Sequence, residues 1–336
     1  MTYETFKETL KQCILIDLAE KDLLGEVTFG TALKLNHRPE EKINVKLTGK
    51  RMEPSISVDQ LYKLYQQGVQ LPALSNWIIK VADLPEQPAV EWSKKIEDYQ
   101  QAREHLHVRV YGKERNQDFL EKIPLQEKAD LMLVCYVELQ TETELQSTLV
   151  DNRMLERWGI SKEQLFTDAL ESSKRIAPVQ VGEVGKMIGV EELPNDIPPL
   201  TVITNPQRQF GASALFYPHV LEQMAETRGN FYILPSSVHE VLIIPEIAGI
   251  SLDELESTVQ EVNKLEVGYE DFLSDHVYHY DELEHKFERA DVYEARQAMK
   301  SEQDHAKNKR SITEKLSETM PKPERHSPKK DHTQEL

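Results

Sequence analysis

Hydrophobic residues recur with two different periods along this chain, and the periods predict its helices and strands. Phe6, Leu10 and Ile14 recur at helical spacing, which predicts a helix over residues 2–19. Residues 27–35 and 42–47 instead alternate apolar and polar positions, a pattern typical of a hairpin with one buried face. The same reasoning predicts further helices over residues 57–67, 71–81, 90–103, 162–175, 218–228 and 252–264. For the last of these, Ser251 and Glu254 predict a capping box, and the spacing of apolar residues predicts a buried face of Leu252, Leu255, Val259 and Val262.

Residues 230–246 hold two apolar runs joined by a Pro-Ser-Ser connection, and we expect them to form two strands at the centre of the core. Residues 131–137 are an unbroken apolar run that suits a strand or a buried helix. The β-favouring Val134, Tyr136 and Val137 favour the strand. Further strands are predicted at 105–111, 148–150, 200–204, 277–280 and 286–289. The sequence therefore predicts an α+β fold with a mixed or mainly antiparallel sheet covered by helices.

The length of 336 residues exceeds that of a usual single domain. We predict an N-terminal α+β subdomain over residues 1–125 and a C-terminal one over 126–297. Residues 193–199 contain three prolines and are predicted to be a loop or hinge. Residues 298–336 are dominated by Pro, Lys, Glu and Ser. They have too little apolar surface to offset the entropy lost when a chain becomes ordered, so we predict a disordered tail.

The charge is strongly negative and unevenly distributed. The formal net charge is −18, and residues 251–291 hold 13 Asp and Glu against three Lys and Arg. A body this acidic repels phosphates, so we expect no nucleic-acid partner. Residues 251–291 predict either a solvated helix face or an acidic surface that docks a basic protein. A further alternative is an immunity or anti-nuclease protein that mimics nucleic-acid phosphates.

No stretch is apolar for long enough to cross a membrane, and the start lacks the features of a signal peptide, so we expect a cytoplasmic protein. Cys13 and Cys135 lie in apolar segments far apart and predict reduced, buried thiols. Gly182, Gly185 and Gly189 lack the Lys and Ser or Thr of a phosphate-binding loop. We therefore expect no cofactor.

Polar residues at predicted strand ends are the best candidates for a binding site, because ligand-binding residues often lie there. They are Asn152, Asn205, Arg208, His239 and Glu240. Turn capping explains the same residues equally well. A small-molecule or hydrolytic enzyme with a cleft near Asn152, Asn205 and His239 is the alternative to a binding protein.

His276 and His279 lie beside acidic residues and are weak candidates for metal ligands. Side chains alternate along a strand, so the predicted strand directs these two imidazoles to opposite faces. We expect no metal site, because a helical turn would be needed to bring them together.

Five segments carry a resemblance to known sequences. They are Val150–Leu155, Leu200–Asn205, Tyr217–Leu221, Tyr232–Val241 and Leu273–Tyr278. With these segments in this order, the chain resembles a bacterial family of unknown function over about residues 1–285, most specifically from Leu145. Residues 149–280 are also distantly similar to a second uncharacterised bacterial family. The resemblance implies a small soluble bacterial protein and assigns no catalytic residues.

We favour a non-enzymatic binding protein with the acidic surface at 251–291.

Overall fold

The structure is a computed structural model that describes residues 1–85, 94–140, 145–183, 185, 200–246 and 250–319. Its strands are β1 (Gly25–Ala32), β2 (Glu40–Leu47), β3 (Ser55–Ser57), β4 (Leu106–Gly112), β5 (Leu125–Lys128), β6 (Leu131–Gln140), β7 (Leu145–Leu149), β8 (Gln180–Glu183), β9 (Thr201–Thr204), β10 (Phe231–Pro235), β11 (Val241–Pro245), β12 (Tyr278–Asp281) and β13 (Lys286–Arg289). Its helices are α1 (Tyr3–Glu20), α2 (Val58–Gln66), α3 (Leu71–Ala82), α4 (Tyr99–Arg103), α5 (Asn152–Trp158), α6 (Lys162–Ile176), α7 (Val220–Arg228), α8 (Leu252–Glu266) and α9 (Ala290–Thr319), with 3₁₀ helices at Glu114–Phe119 and Gly211–Phe216.

The described strands form three antiparallel sheets. One has the order β1-β2-β3, a second has β4-β6-β5 with β7 also paired to β6, and the third has β13-β12-β10-β11-β9-β8. The strands predicted at residues 230–246 are β10 and β11, which lie side by side in the middle of the six-stranded sheet. The predicted α+β fold is therefore confirmed, and its sheets are antiparallel.

The N-terminal elements share one hydrophobic core. Helix α1 buries Phe6, Leu10 and Ile14, and the hairpin of β1 and β2 adds Val27 and Ile43. This core draws its buried residues from positions 6–82. The predicted helix over 2–19 and the predicted hairpin are both confirmed by α1 and by the pairing of β1 with β2. Their apolar faces pack in the same core.

A second core extends from α4 into β12. It contains Leu35 and residues between Ala102 and Tyr280. Strand β6 supplies a continuous buried run from Leu131 to Cys135, which confirms the prediction of a strand at 131–137. The predicted subdomains 1–125 and 126–297 stay a prediction.

Helix caps follow the sequence signals. Ser251 accepts a hydrogen bond from the Glu254 amide, and the Glu254 side chain accepts one from the Ser251 amide, which completes a capping box. One predicted core position of α8 differs: Val262 is 42% exposed, and Asn263 is buried instead. The Asn263 side chain donates to the carbonyl of Ser274, which satisfies it inside the core.

Residues 1–289 form one compact unit. The second unit begins with α9, so the predicted tail overlaps a helix over 298–319, and residues 320–336 lie outside the described residues. The proline-rich loop predicted at 193–199 also lies outside them. Among the residues described, no helix combines the length and apolar character needed to cross a membrane.

Candidate functional site

A cavity of about 520 Å³ opens beside β4. Its wall comes from four parts of the chain: residues 104–109 at the start of β4, Glu138 in β6, the C-terminal end of α6, and residues 205–217. Val108, Ile176 and Ala177 give it an apolar part. Its charged side chains are Glu104, Arg109, Glu138 and Arg175. The cavity is therefore mixed in character, with an apolar wall beside paired charges.

The ion pair of Arg109 and Glu138 lies deepest among these charges. The two side chains are 7% and 10% exposed. Oε1 of Glu138 accepts from Nε of Arg109 at 2.9 Å and also from Nη2. Arg109 faces Val134 across the ladder, so its side chain runs along the sheet to reach Glu138 at the end of β6. Most of this pair is withdrawn from bulk water.

Two aromatic rings hold the Arg109 guanidinium in place. Its Cζ lies 4.0 Å from the ring centroid of Tyr136 and 3.7 Å from that of Phe210. A guanidinium over an aromatic face is attracted by the ring's electron density, most strongly where water is excluded. The two hydrogen bonds to Oε1 of Glu138 and the two rings together fix the orientation of the cation.

Burial shifts the pKa values of groups around this cation. It raises the pKa of Tyr136 far above that of a free tyrosine, and it lowers the pKa of His107 despite the Glu138 carboxylate nearby. Burial is the largest influence on the pKa of Arg109 and acts to lower it, but Glu138, Tyr111 and Tyr136 together outweigh burial, so the pKa of Arg109 is raised. At neutral pH the site thus holds a charged Arg109 beside a neutral His107.

The segment from Asn205 to Gly211 forms the rim of the cavity. The Asn205 side chain donates to the carbonyl of Gln209 and accepts from its amide, which closes the loop on itself. Arg208 and Phe210 both have φ of +53°, a left-handed conformation that non-glycine residues rarely adopt. The loop is held in this conformation by its own hydrogen bonds and by its neighbours, and it directs Phe210 onto Arg109.

The His239 side chain binds the backbone of Phe210. Its Nδ1 accepts from the Phe210 amide at 3.1 Å, so in the neutral ring Nε2 carries the hydrogen and donates to Asp271 at 2.9 Å. The ring centroids of His239 and Phe210 lie 5.5 Å apart. The carbonyl of His239 also accepts from the Thr204 hydroxyl. His239 therefore positions a wall of the cavity and does not line it.

The five candidate residues from the sequence fall in different places. Asn205 lines the cavity, and Arg208 is exposed on the same loop. His239 and Glu240 lie in the connection between β10 and β11, where the Glu240 carbonyl accepts from the Ser237 amide. Asn152 does not line this cavity; its side chain donates to the carbonyl of Glu121.

The acidic side chains of residues 251–291 fall into an exposed group and a buried or half-buried group. Eight of its side chains are exposed: Asp253, Glu254, Glu261, Glu266, Glu270, Glu282, Glu284 and Asp291. Five are buried or half-buried: Glu256, Asp271, Asp275, Asp281 and Glu288. Asp271 binds His239, and Asp281 accepts from the amides of Leu283 and Glu284 in the turn between β12 and β13. Part of this charge therefore stabilises the fold rather than facing a partner.

The two histidines considered as metal ligands have separate acidic neighbours. Nδ1 of His276 lies 3.6 Å from Glu256, and Nε2 of His279 lies 3.4 Å from Glu246. Only His279 belongs to β12. Within the described ranges, no three His, Cys, Asp or Glu side chains are grouped to hold a metal ion.

Arg109, Glu138 and His107 were not among the residues selected from the sequence. The available signal was polar residues inside otherwise apolar strands, as in Leu106-His107-Val108-Arg109-Val110. This alternation also describes a strand with one solvated face. Only the packing of Phe210 over Arg109 shows that the face is covered.

Comparison with known proteins gives a match to a protein family. Residues 3–282 match the model of a family described as "Family of unknown function (DUF5688)". No curated protein and no solved structure matches the chain. The match covers most of the chain and carries no activity.

Proposed function

Since the chain belongs to this family of unknown function, its membership assigns no activity, and we propose from the site itself that the protein binds a small polar molecule in the cavity beside Arg109. The cavity volume of about 520 Å³ lies in the range that holds small ligands. A few polar groups on a partly apolar wall are the usual composition of such sites. Binding, rather than catalysis, is the function this geometry supports best.

One observation carries the proposal, the buried ion pair of Arg109 and Glu138. Removing two charges from water is expensive, and an apolar pair of the same volume often stabilises a fold equally well. The pair is nevertheless held in a single orientation by Tyr136 and Phe210 at a cavity wall. Charged groups that are fixed in advance bind a ligand at a lower entropic cost.

Equilibrium dialysis against a small-molecule extract of the source cells tests the proposal. Dialysis is chosen because it retains weakly bound molecules at equilibrium. We compare the unaltered protein with Glu138→Gln, which keeps the shape of the side chain and removes its charge. The same substitution at Glu127 is the control, because Glu127 is 67% exposed in an ion pair with Lys113. Mass spectrometry then identifies the molecules on the protein side.

We expect at least one small molecule to accumulate with the unaltered protein and with Glu127→Gln. With Glu138→Gln its accumulation should fall at least tenfold. Circular dichroism establishes that the three proteins are equally folded. If no molecule accumulates, or if Glu138→Gln retains it undiminished, the cavity is not a ligand site.

A basic protein partner at 251–291 is the second candidate, supported by the eight exposed acidic side chains there. It predicts a partner whose capture weakens steeply with salt, since exposed charges are screened. Charge neutralisation at Asp253, Glu254 and Glu261 should then abolish capture without affecting dialysis of small molecules. The charge-mimic and enzyme hypotheses have no further observation in their favour.

A further inference from the structure

The ion pair of Arg109 and Glu138 is incomplete at both ends. Glu138 engages Nε and one hydrogen of Nη2, which leaves the two Nη1 hydrogens of Arg109 outside the pair. Both bonds end on Oε1, so Oε2 of Glu138 is also left over. Nε2 of His107 lies 3.8 Å from Oε2, beyond hydrogen-bond distance. The Tyr111 hydroxyl accepts a further hydrogen bond from the Arg109 guanidinium, which uses part of its remaining donor capacity inside the fold.

These two ends require opposite partners. Nη1 can only donate, and a charged donor binds a carboxylate most strongly. Oε2 can only accept, and its natural partner is an ammonium group. Both residues line the same cavity, and they touch each other. A ligand that satisfies them must therefore carry an acceptor and a donor close together.

The charge balance of the cavity excludes ligands of a single charge. Arg109 and Arg175 are matched by Glu104 and Glu138, and burial lowers the pKa of both His105 and His107 toward the neutral form. The cavity wall thus has no net charge, but it carries separate positive and negative groups. A simple anion would meet the charge of Glu138, and a simple cation would meet that of Arg109, in a site where such repulsion is poorly screened.

We infer that the ligand is a zwitterion of the α-amino-acid class, with its carboxylate on Arg109 and its ammonium group on Glu138. An α-amino acid carries both groups on one carbon, which matches two protein charges in direct contact. Val108, Ile176 and Ala177 provide an apolar surface for its side chain. This inference rests on the proposed function, because it names the ligand class of the same cavity.

Three probes with a shared carbon skeleton separate the ligand classes. L-norvaline carries both charges, pentanoate lacks the amino group, and butylamine lacks the carboxylate. Isothermal titration calorimetry gives the Kd of each probe for the unaltered protein, for Glu138→Gln and for the control Glu127→Gln. We expect norvaline to bind at least tenfold more tightly than either partial probe.

Glu138→Gln should raise the Kd of norvaline at least tenfold and bring it close to that of pentanoate, because the ammonium group loses its partner. Glu127→Gln should leave all three Kd values within twofold. Pentanoate or butylamine binding as tightly as norvaline would overturn the inference, and so would an unchanged Kd in Glu138→Gln.

The two proposals fail in different ways. If dialysis retains molecules that lack either an amino group or a carboxylate, the cavity is a ligand site but the ligand class is wrong. If none of the three probes binds, the zwitterion inference is likewise overturned, and dialysis alone decides whether the cavity binds anything. If dialysis retains amino acids that Glu138→Gln loses, both proposals hold.

Discussion

At the scale of single residues, Arg109 shows how much one buried charge depends on its surroundings. Its guanidinium is bound by Glu138 and covered by Tyr136 and Phe210. Each contact alone is modest, but loss of the carboxylate would leave an uncompensated cation in a poorly hydrated place. The stability of the fold and the chemistry of the cavity therefore meet in one ion pair.

Replacing Glu138 by Ala should lower the free energy of unfolding by about 3–5 kcal/mol, the cost of breaking a buried ion pair on one side. The measurement is urea unfolding followed by circular dichroism. Glu127→Ala removes an ion pair whose carboxylate is largely exposed, and it should lower the free energy of unfolding by at most about 1 kcal/mol. Equal losses in the two variants would contradict the burial argument.

His107 gives the stability a dependence on pH. Burial lowers its pKa in the folded chain from the ordinary value of 6.5, so the unfolded chain binds the proton more tightly. Below pH 6.5 the unfolded state therefore carries more protons, and the free energy of unfolding falls as the pH falls toward the folded-state pKa. The stability contributed by the neutral ring is complete above this window.

We expect His107→Gln to make the decline between pH 7 and pH 5 shallower than in the unaltered protein. The difference in slope has an upper limit of about 1.4 kcal/mol per pH unit, the value for one proton. Urea unfolding at a series of pH values measures it. A variant with the same or a steeper decline would show that His107 does not contribute.

At the scale of elements, the connection from β9 to the 3₁₀ helix at Gly211–Phe216 shapes the cavity. Gly211 packs so closely that a Cβ there would lie 2.6 Å from the His239 carbonyl and 2.7 Å from the Asn205 amide, and would also meet the Thr204 hydroxyl. Two of these three atoms are backbone and cannot turn aside. The close packing lets Phe210 lie against both His239 and Arg109.

Gly211→Ala should destabilise the protein by about 1–3 kcal/mol through overpacking, and it should also weaken ligand binding because Phe210 is displaced. Thermal unfolding and calorimetry with norvaline measure the two effects. Gly30→Ala is the matched control, since its new Cβ would meet only the movable end of the Asn44 side chain at 3.2 Å. A change at Gly211 no larger than the one at Gly30 would contradict the packing argument.

At the scale of the compact unit 1–289, one buried amide network joins segments that are far apart in sequence. The Asn36 amide donates to Oδ1 of Asn116, and Nδ2 of Asn116 donates back to Oδ1 of Asn36, both at 2.8 Å. Nδ2 of Asn36 also donates to the carbonyls of Phe272 and Glu270. Asn36 follows Leu35, a member of the second core, so the network holds the N-terminal hairpin region to the β4 and β12 regions.

Asn116→Ala should cost about 2–4 kcal/mol of unfolding free energy, because it removes three hydrogen bonds and leaves the buried Asn36 amide without its acceptor. Urea unfolding measures the loss. Asn76→Ala removes only an exposed bond to the Pro72 carbonyl and should change stability by about 0.5 kcal/mol or less. Similar losses at the two positions would show that the network is not coupled to folding.

Much of the architecture followed from local patterns. The apolar spacing of α1, the alternation of β1 and β2, and the capping box of Ser251 each specify an element through neighbouring residues alone. The buried side of α8 was not predicted in full, because Val262 is exposed and Asn263 is buried instead. Asn263 can be buried there because its side chain donates to the Ser274 carbonyl. Local periodicity records which face is apolar and cannot record a distant hydrogen-bond partner.

The sequence by itself determined the α+β class, the central place of residues 230–246 and most of the helices and strands, because period and capping act within a few residues. It did not predict the short strands β3, β5 and β8. It also marked Asn205 as a candidate site residue. The tertiary structure alone decided the cavity. Arg109, Glu138 and Phe210 are each ordinary in their own segments, and they become a site only because antiparallel pairing and the loop after β9 bring them together.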